Sequence, residues 1–305
     1  MANTDSLFDL DVMVRNVESY VLLRSQPLHE LQAACEQALD NEMKTSLTGR
    51  TSHFTELAIR QFASIDRFSG QESLLAEKWS RFRIGRNLYY MLAALSLGSE
   101  GGDKAIVLHG LSHLEELKNK NIPILFVSAH WKAYQSLPLT LCALGYSLTC
   151  LMDGGVVDIA TALHRAMAPN YASQLNAVAV EQGGAARAVL NALRSGQSAL
   201  LFPEFSLRPN RKDEIGELFG RRIYMPGGAE HLARLGGAMM VPIRVSVEVG
   251  EIHLYTDPPL YVPGSQEQEG VPTRRYFEWL SELVEQDPSA WWCWEIFDSH
   301  MLARA

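Results

Sequence analysis

The sequence predicts an α/β protein with a mostly parallel central sheet flanked by helices, preceded by an N-terminal helical region. Three observations support this fold class. Apolar residues recur every three or four positions in the first hundred residues, which is typical of amphipathic helices. A glycine-rich break, GSEGGD, occupies 98–103. After it, short runs that are apolar on both faces alternate with helical stretches, as parallel strands do when helices cover both sides of a sheet.

The predicted elements follow in chain order. One helical stripe runs from Leu10 to Val21, and a second helical segment opens after Ser69 and continues to Leu97. The break divides a helical region at 1–103 from an α/β domain at 104–305. The predicted strands of that domain are 106–108, 124–129, 147–152, 198–202, 239–245 and 252–256. Its predicted helices are 131–144, 185–194, 228–235 and 273–285.

Composition describes an ordinary globular protein and argues against several functions. The chain is 47% hydrophobic and 20% charged, with a formal net charge of −8. That charge argues against a nucleic-acid partner, because such binding requires the neutralisation of many phosphates. No apolar stretch approaches the ~18 residues needed for a transmembrane helix, and the acidic start does not resemble a secretory signal. Four scattered cysteines without CxxC spacing favour reduced thiols, so we expect a cytoplasmic protein.

Two predicted strand ends carry candidate chemistry. His130 directly follows the run ILFVSA, and catalytic groups of open α/β sheets gather outside the carboxyl ends of strands. A neutral imidazole there could accept a proton from an attacking hydroxyl or amine, although a structural histidine at a helix start is the alternative. Glu204 follows the later run SALLF, and Ser206 and Arg208 come next. An arginine there could bind a phosphate or carboxylate, while a solvated polar loop is the alternative.

Other motifs indicate less. Gly227 and Gly228 open a predicted helix whose free N–H groups could hold an anion or an oxyanion, although simple turn chemistry is the alternative. His109 and His113 are four residues apart but lack a third ligand, so no metal site is predicted. Cys293, within WWCWEIF, has no basic neighbour in the sequence that would lower its pKa, so we do not expect it to be a nucleophile.

Taken together, these segments resemble the lysophospholipid acyltransferase superfamily, and most closely its branch of lipid A late (lauroyl or myristoyl) acyltransferases. The resemblance covers roughly residues 104–300, and the hydrophobic anchor usual in lipid A acyltransferases is missing. The segments that carry it, in the order that the family has them, are Ser128–Trp131, Phe202–Glu204, Phe219–Arg221, Met225–Gly228 and Gly237–Pro242.

The resemblance implies a bacterial acyltransferase that moves an acyl or aminoacyl group to an amine or hydroxyl acceptor. The donor would be the thioester of an acyl carrier protein or of coenzyme A, which is a co-substrate and not a bound cofactor. The acceptor would be a small molecule or carrier-bound. The missing anchor favours a soluble acceptor, and peripheral membrane contact stays open. His130 would be the general base, and the expected substrate-binding residues are Trp131, Asp153, Ser206, Arg208, Arg221, Gly227 and Gly228.

One position departs from the family pattern: the acid of its H-x4-D/E motif falls on Gln135. A carboxylate fixes the tautomer of the base and stabilises its imidazolium, whereas an amide can only orient the ring; the matching change in a serine-protease triad costs about 10⁴ in rate. Three interpretations stay open. Glu204 or Asp153 supplies the carboxylate, or an amine acceptor needs only a weaker base. Otherwise the domain has lost catalysis and binds an acyl carrier or acyl ligand. Thioester hydrolysis is a weaker reading.

Overall fold

A central sheet of seven strands organises the protein. The computed structural model describes residues 13, 16–22, 28–46, 50–110, 122–205, 214–248 and 251–300. The strands of this sheet are β1 (Ile106–His109), β2 (Ile124–Val127), β3 (Leu148–Met152), β4 (Leu175–Ala179), β5 (Ser198–Leu201), β8 (Met239–Glu248) and β9 (Glu251–Thr256). Their order is β1-β9-β8-β2-β5-β3-β4, and every neighbouring pair is parallel except β8 and β9. The predicted fold class is therefore confirmed.

Helices surround this sheet, and a separate hairpin lies beside it. The hairpin pairs β6 (Glu214–Leu218) with β7 (Arg221–Met225) antiparallel. The described α-helices are α1 (Val17–Leu22), α2 (Leu28–Ser46), α3 (Arg50–Ala63), α4 (Glu72–Gly98), α5 (Leu137–Ala143), α6 (Gly154–Met167), α7 (Pro169–Ala172), α8 (Ala185–Arg194), α9 (Gly228–Gly236) and α10 (Val271–Gln286). Short 3₁₀ turns are Asp66–Phe68, Gly102–Ala105, Tyr134–Ser136, Pro288–Ala290, Trp292–Glu295 and Phe297–His300.

Several elements differ from the prediction, among them α6 and α7, which were not among the predicted helices. The six predicted strands are present, but β4 and the β6–β7 hairpin were not predicted. β4 is an edge strand that contains Asn176 and is only partly buried, so it lacks an apolar run. The hairpin turns at Phe219 and Gly220, which both have positive φ, as two-residue hairpin turns of type I′ require. The predicted helix at 131–144 begins only at Leu137, because a turn and a 3₁₀ segment precede it.

Helical residues from before the break at 98–103 pack into the same core as the sheet. Phe62 and Trp79 belong to the apolar cluster that contains Trp291 and Trp294. The indole N–H of Trp79 also donates to the backbone carbonyl of Trp291 over 2.9 Å. On the other face of the sheet, Leu88 packs in a cluster with residues of β2, β3, β5, β8 and β9. Side chains from both predicted regions therefore bury apolar surface together.

Two further expectations concern cysteines and membranes. All four cysteines are free, and Cys142, Cys150 and Cys293 are buried. Over the parts of the chain that the structure describes, every helix is too short or too polar to cross a bilayer.

Candidate active site

His130 and Glu204 meet because they follow neighbouring parallel strands. β2 ends at Val127 and β5 ends at Leu201, so both chains leave the sheet at the same edge. The residue after β2 is fixed from three sides. The N–H of Ser128 donates to Leu201 O over 3.0 Å and its hydroxyl donates to Ile243 O over 2.7 Å. The Tyr276 hydroxyl donates to Ser128 O over 2.8 Å. The backbone leading to His130 is therefore held rigidly.

The imidazole of His130 is paired with the carboxylate of Glu204. The Nδ1 atom of His130 hydrogen-bonds to Oε2 of Glu204, and the backbone N–H of His130 donates to Oε1 over 2.8 Å. An ionised carboxylate can only accept hydrogen bonds, so we assign the ring proton to Nδ1, which leaves Nε2 as the basic atom. The side chain of Glu204 is 1% exposed and that of His130 is 29% exposed. Solvent can therefore reach the imidazole but not the carboxylate.

Two residues of the C-terminal segment, by which we mean residues 287–300 after α10, complete the environment of Glu204. The indole N–H of Trp291 donates to Oε1 over 2.7 Å, and the thiol of Cys293 lies 3.6 Å from the same oxygen. A buried carboxylate is destabilising unless donors surround it, and here four donors contact Glu204. Burial, together with the charge of Glu204, raises the pKa of the Cys293 thiol well above its ordinary value. Cys293 is therefore a neutral donor and not a thiolate nucleophile.

The same three side chains were tested as a metal site. Ligand atoms of His130, Glu204 and Cys293 lie within 4.8 Å of one another, the one such group within the described ranges. These atoms already hydrogen-bond to each other. The raised pKa of Cys293 also opposes the thiolate that metal ligation requires. The cluster is therefore better suited to holding a proton than a metal ion.

Aromatic rings border the imidazole. The ring centroid of His130 lies 4.8 Å from that of Tyr134, 4.8 Å from that of Phe202 and 5.8 Å from that of Trp292. The backbone N–H of Trp292 donates to the backbone carbonyl of His130 over 2.9 Å, which connects the C-terminal segment to the site. The basic atom is thus set in a largely apolar surround, where hydrogen bonds and charges act more strongly than in water.

Next to His130 the chain makes a strained turn that borders a cavity of about 240 Å³. Lys132 has a φ of 47°, a left-handed backbone conformation that is unfavourable for lysine. Its backbone N–H donates to Ala290 O over 2.9 Å. Strain of this kind is held in place by its surroundings and is frequent at functional sites. The cavity is lined by residues from α4, from the turn after β2 and from the C-terminal segment, including Lys78, Arg81, Tyr89, Lys132 and Ser289.

The remaining predicted polar residues do not take the carboxylate position. Gln135 lies in the 3₁₀ turn Tyr134–Ser136, and its buried Oε1 accepts no hydrogen bond from the residues that the structure describes. Asp153 caps α6 by accepting the N–H of Gly155 over 2.8 Å. Asp153 stays a predicted site residue, with one of its carboxylate oxygens bound to the helix start. The carboxylate at the imidazole belongs to Glu204.

Two predicted substrate-binding residues have structural contacts instead. Trp131 is buried, pairs with Trp291 through a β-bridge and donates its indole N–H to Asp287 O over 3.3 Å. The guanidinium of Arg221 hydrogen-bonds to Gln61 Oε1 at 3.0 Å, Ser64 Oγ at 2.9 Å and Asp298 Oδ1 at 3.3 Å. A substrate-binding role for either residue stays a prediction, with protein acceptors already bound to polar groups of both side chains.

The glycine pair opens a helix at the edge of the sheet that carries His130. Gly227 is the N-cap of α9 and Gly228 its first residue. The helix packs on β2 and β8 and reverses through Gly237, whose φ is 60°, directly into β8. α9 therefore runs opposite to β8, and its N-terminus lies towards the carboxyl edge. Ser206 and Arg208 lie outside the described residues.

Sequence reasoning did not identify Trp291 and Trp292 as parts of the site. The run WWCWEIF is rich in aromatic residues, and three of its rings, those of Trp291, Trp294 and Phe297, are core residues. Its spacing contains no signal for the indole N–H that reaches Glu204 or for the ring that borders His130.

The fold and the site together define an α/β protein with a histidine–glutamate pair at the carboxyl edge of its sheet. No protein-family model and no curated protein matches the sequence. Among solved structures, the chain is similar to the 1-acyl-sn-glycerophosphate (LPA) acyltransferase PlsC from Thermotoga maritima. The two chains are 14% identical with a TM-score of 0.35, and the match covers 79% of this chain and 99% of that chain.

Proposed function

We propose that this protein is an acyltransferase that moves an acyl or aminoacyl group from the thioester of an acyl carrier protein or coenzyme A to an amine or hydroxyl acceptor. One observation carries the proposal: a fully buried carboxylate, Glu204, holds Nδ1 of a partly exposed imidazole, His130. A general base requires this arrangement, because the carboxylate fixes the tautomer and stabilises the imidazolium while Nε2 is left for the acceptor. The resemblance of the surrounding segments to lysophospholipid acyltransferases supports acyl transfer as the reaction.

In the proposed reaction, Nε2 of His130 removes a proton from the acceptor as its oxygen or nitrogen attacks the thioester carbonyl. The new C–O or C–N bond forms, the C–S bond breaks, and the thiolate leaves with the proton from the imidazolium. Backbone N–H groups at the start of α9, near Gly227 and Gly228, would stabilise the oxyanion. No acyl-enzyme is expected, because the Cys293 thiol is buried and protonated.

Glu204 resolves the difficulty that Gln135 raises for this reaction. The missing carboxylate at the H-x4 position left open, as one interpretation, a protein without catalysis that binds an acyl carrier or acyl ligand. With Glu204 on the imidazole, the charge that Gln135 lacks is supplied from β5. This geometry supports catalysis over a role in binding alone.

The test is incubation of the purified protein with acyl-loaded carrier proteins and coenzyme A thioesters, with intact-mass detection of lost acyl groups. We expect turnover to fall about 10²–10⁴-fold in His130→Ala, while the fold is retained and the free energy of unfolding falls by about 1–3 kcal/mol, because the buried carboxylate of Glu204 loses one of its four donors. His29→Ala is the matched control, because its side chain is 68% exposed. Wild-type turnover in His130→Ala would remove the proposal. Transfer to lysophosphatidic acid on vesicles would replace the soluble acceptor with a lipid.

A further inference from the structure

Two buried hydrogen-bond donors lie unused beside His130. The Nε atom of Arg86, on α4, and the Nε1 atom of Trp292 are shielded from solvent and have no hydrogen-bond acceptor among the residues that the structure describes. The guanidinium carbon of Arg86 is 5.9 Å from the ring centroid of Trp292. The Trp292 ring in turn borders the imidazole of His130, 5.8 Å away between centroids. Both donors therefore belong to the surroundings of the proposed base.

Arg86 also carries a charge that no carboxylate neutralises within the described ranges. One of its terminal nitrogens donates to Arg83 O over 2.8 Å. It also lies near the Tyr134 hydroxyl: burial raises the pKa of Tyr134 to about 12, and the charge and hydrogen bond of Arg86 only partly offset that rise. Neither contact supplies a negative charge. Native proteins leave few buried donors without an acceptor. Two such donors next to a candidate base, Nε of Arg86 and Nε1 of Trp292, therefore require an explanation.

Arg83, one helical turn earlier, shows the contrasting case. Its Nε donates to Glu295 Oε2 over 2.8 Å and its Nη2 donates to Glu295 Oε1 over 3.2 Å. Its guanidinium also lies 3.5 Å from the centroid of the Phe54 ring. Arg83 is thus paired with a carboxylate through two donors, whereas the Nε–H of Arg86 has no acceptor within the described residues. The two residues form a matched pair for mutagenesis.

We propose that Arg86 and Trp292 form an anion subsite that binds a carboxylate or phosphate group of the substrate beside His130. This inference deepens the proposed function and rests on it for the reaction that the subsite serves. A guanidinium and an indole N–H can each donate to an anionic group, the guanidinium carbon lies 5.9 Å from the indole ring centroid, and charge-assisted hydrogen bonds are about twice as strong as neutral ones. A trapped water could satisfy both donors but would leave the guanidinium charge unbalanced. The anionic group belongs either to an acidic acceptor or to the phosphates of the donor.

Tryptophan labelled with ¹⁵N reads this subsite without requiring turnover. The chain has six tryptophans, and Trp292→Phe assigns the indole N–H signal of Trp292 by its disappearance. The wild type, Arg86→Gln and Arg83→Gln are each titrated with acetate, with inorganic phosphate and with coenzyme A. Arg86→Lys keeps the charge without the Nε–H donor and replaces Arg86→Gln should that variant fail to fold.

A saturable shift of the Trp292 signal is the expected result. The apparent dissociation constant should rise about tenfold to a hundredfold in Arg86→Gln and stay unchanged in Arg83→Gln. Tighter binding of coenzyme A than of phosphate assigns the subsite to the donor, and a preference for acetate or free phosphate assigns it to the acceptor. A Trp292 signal that ignores all three probes, or equal behaviour of the two arginine variants, would overturn the subsite.

The transfer assay separates this inference from the proposed function. Anion binding that persists without any acyl transfer would leave the subsite standing and remove the enzyme assignment. Acyl transfer with no response of the Trp292 signal to anions would support the enzyme assignment and remove the subsite. If both hold, Arg86→Gln should raise KM for the anionic substrate about tenfold or more and change kcat much less, a division that a merely structural arginine would not produce.

Discussion

Substitution of Glu204 by glutamine tests the histidine–glutamate pair most directly. The amide has nearly the shape of the carboxylate, so packing is retained while the charge is removed. If the amide oxygen keeps the N–H donors of His130 and Trp291, its NH₂ group faces Nδ1 of the imidazole. Nδ1 must then become an acceptor, which moves the ring proton to Nε2. The atom that should take a proton from the acceptor substrate would then already carry one.

The size of the effect follows from that tautomer change. In the serine-protease triad, the equivalent acid-to-amide change lowers kcat by about 10⁴, or about 5.5 kcal/mol in activation free energy. We expect a loss of this order in Glu204→Gln. The cost to folding should be smaller, about 1–3 kcal/mol, because the amide satisfies part of the buried hydrogen-bond network.

The assay combines intact-mass measurement of acyl transfer with thermal unfolding of the same preparation. Glu230→Gln is the control, because Glu230 is also a buried carboxylate with several donors, but it binds Arg234 of its own helix α9 and connects α9 to the start of α10 through Gly270 and Thr273. It should lose stability without losing the tautomer of His130. The reasoning is refuted if Glu204→Gln folds and keeps kcat within about threefold of the wild type, since a displaced proton predicts a far larger loss.

Three other predictions use the same preparations. Gln135→Glu should leave acyl transfer within about threefold of the wild type, because Glu204 already holds Nδ1; a gain of about 100-fold or more would show that Gln135 limits the site. Burial lowers the pKa of His164 to about 4, so the unfolded state binds an extra proton as pH falls from 6.5 towards 4. The wild type should thus lose up to about 3 kcal/mol of folding stability over that interval, and His164→Gln should lose much less. Chemical denaturation of both proteins at each pH measures this difference, and equal pH dependence would contradict the assignment. Arg221→Gln should lower the unfolding free energy by about 1–2 kcal/mol with kcat and KM unchanged, and a selective rise in KM would restore Arg221 as a substrate-binding residue.

The sequence predicted most of the central sheet because buried parallel strands have a strong local signature. The runs ILFV and SALL of β2 and β5 are fully buried, so their apolar residues mark them without reference to partners. The hairpin β6–β7 lacks that signature: Glu217 and Arg222, for example, are paired across it on a polar register. Its turn at Phe219 and Gly220 has positive φ at both positions. Such turns are usually recognised by Asn-Gly or Asp-Gly, and phenylalanine at the first position does not indicate one.

The candidate site was predicted in part, for a related reason. A strand end followed by His130 or by Glu204 can be recognised locally, and the pairing of their strands then brings the two together. The contacts that distinguish Arg221 from Arg86 cannot be recognised in this way. The acceptors of Arg221 come from α3 and the C-terminal segment. The Nε–H of Arg86 has no acceptor among the described residues, and this too depends on which side chains the fold brings next to it. Both depend on chain segments far apart in sequence.

The position of Glu204 also explains how a histidine-based site can keep its carboxylate without the acid of the H-x4-D/E motif. Residues three positions beyond the ends of two adjacent parallel strands leave the sheet on the same edge, as His130 and Glu204 do after Val127 and Leu201. A carboxylate can therefore reach Nδ1 from the neighbouring strand as readily as from the turn after the histidine. Trp291, Cys293 and the backbone N–H of His130 then surround that carboxylate with donors, so the site has its carboxylate without an acid at position 135.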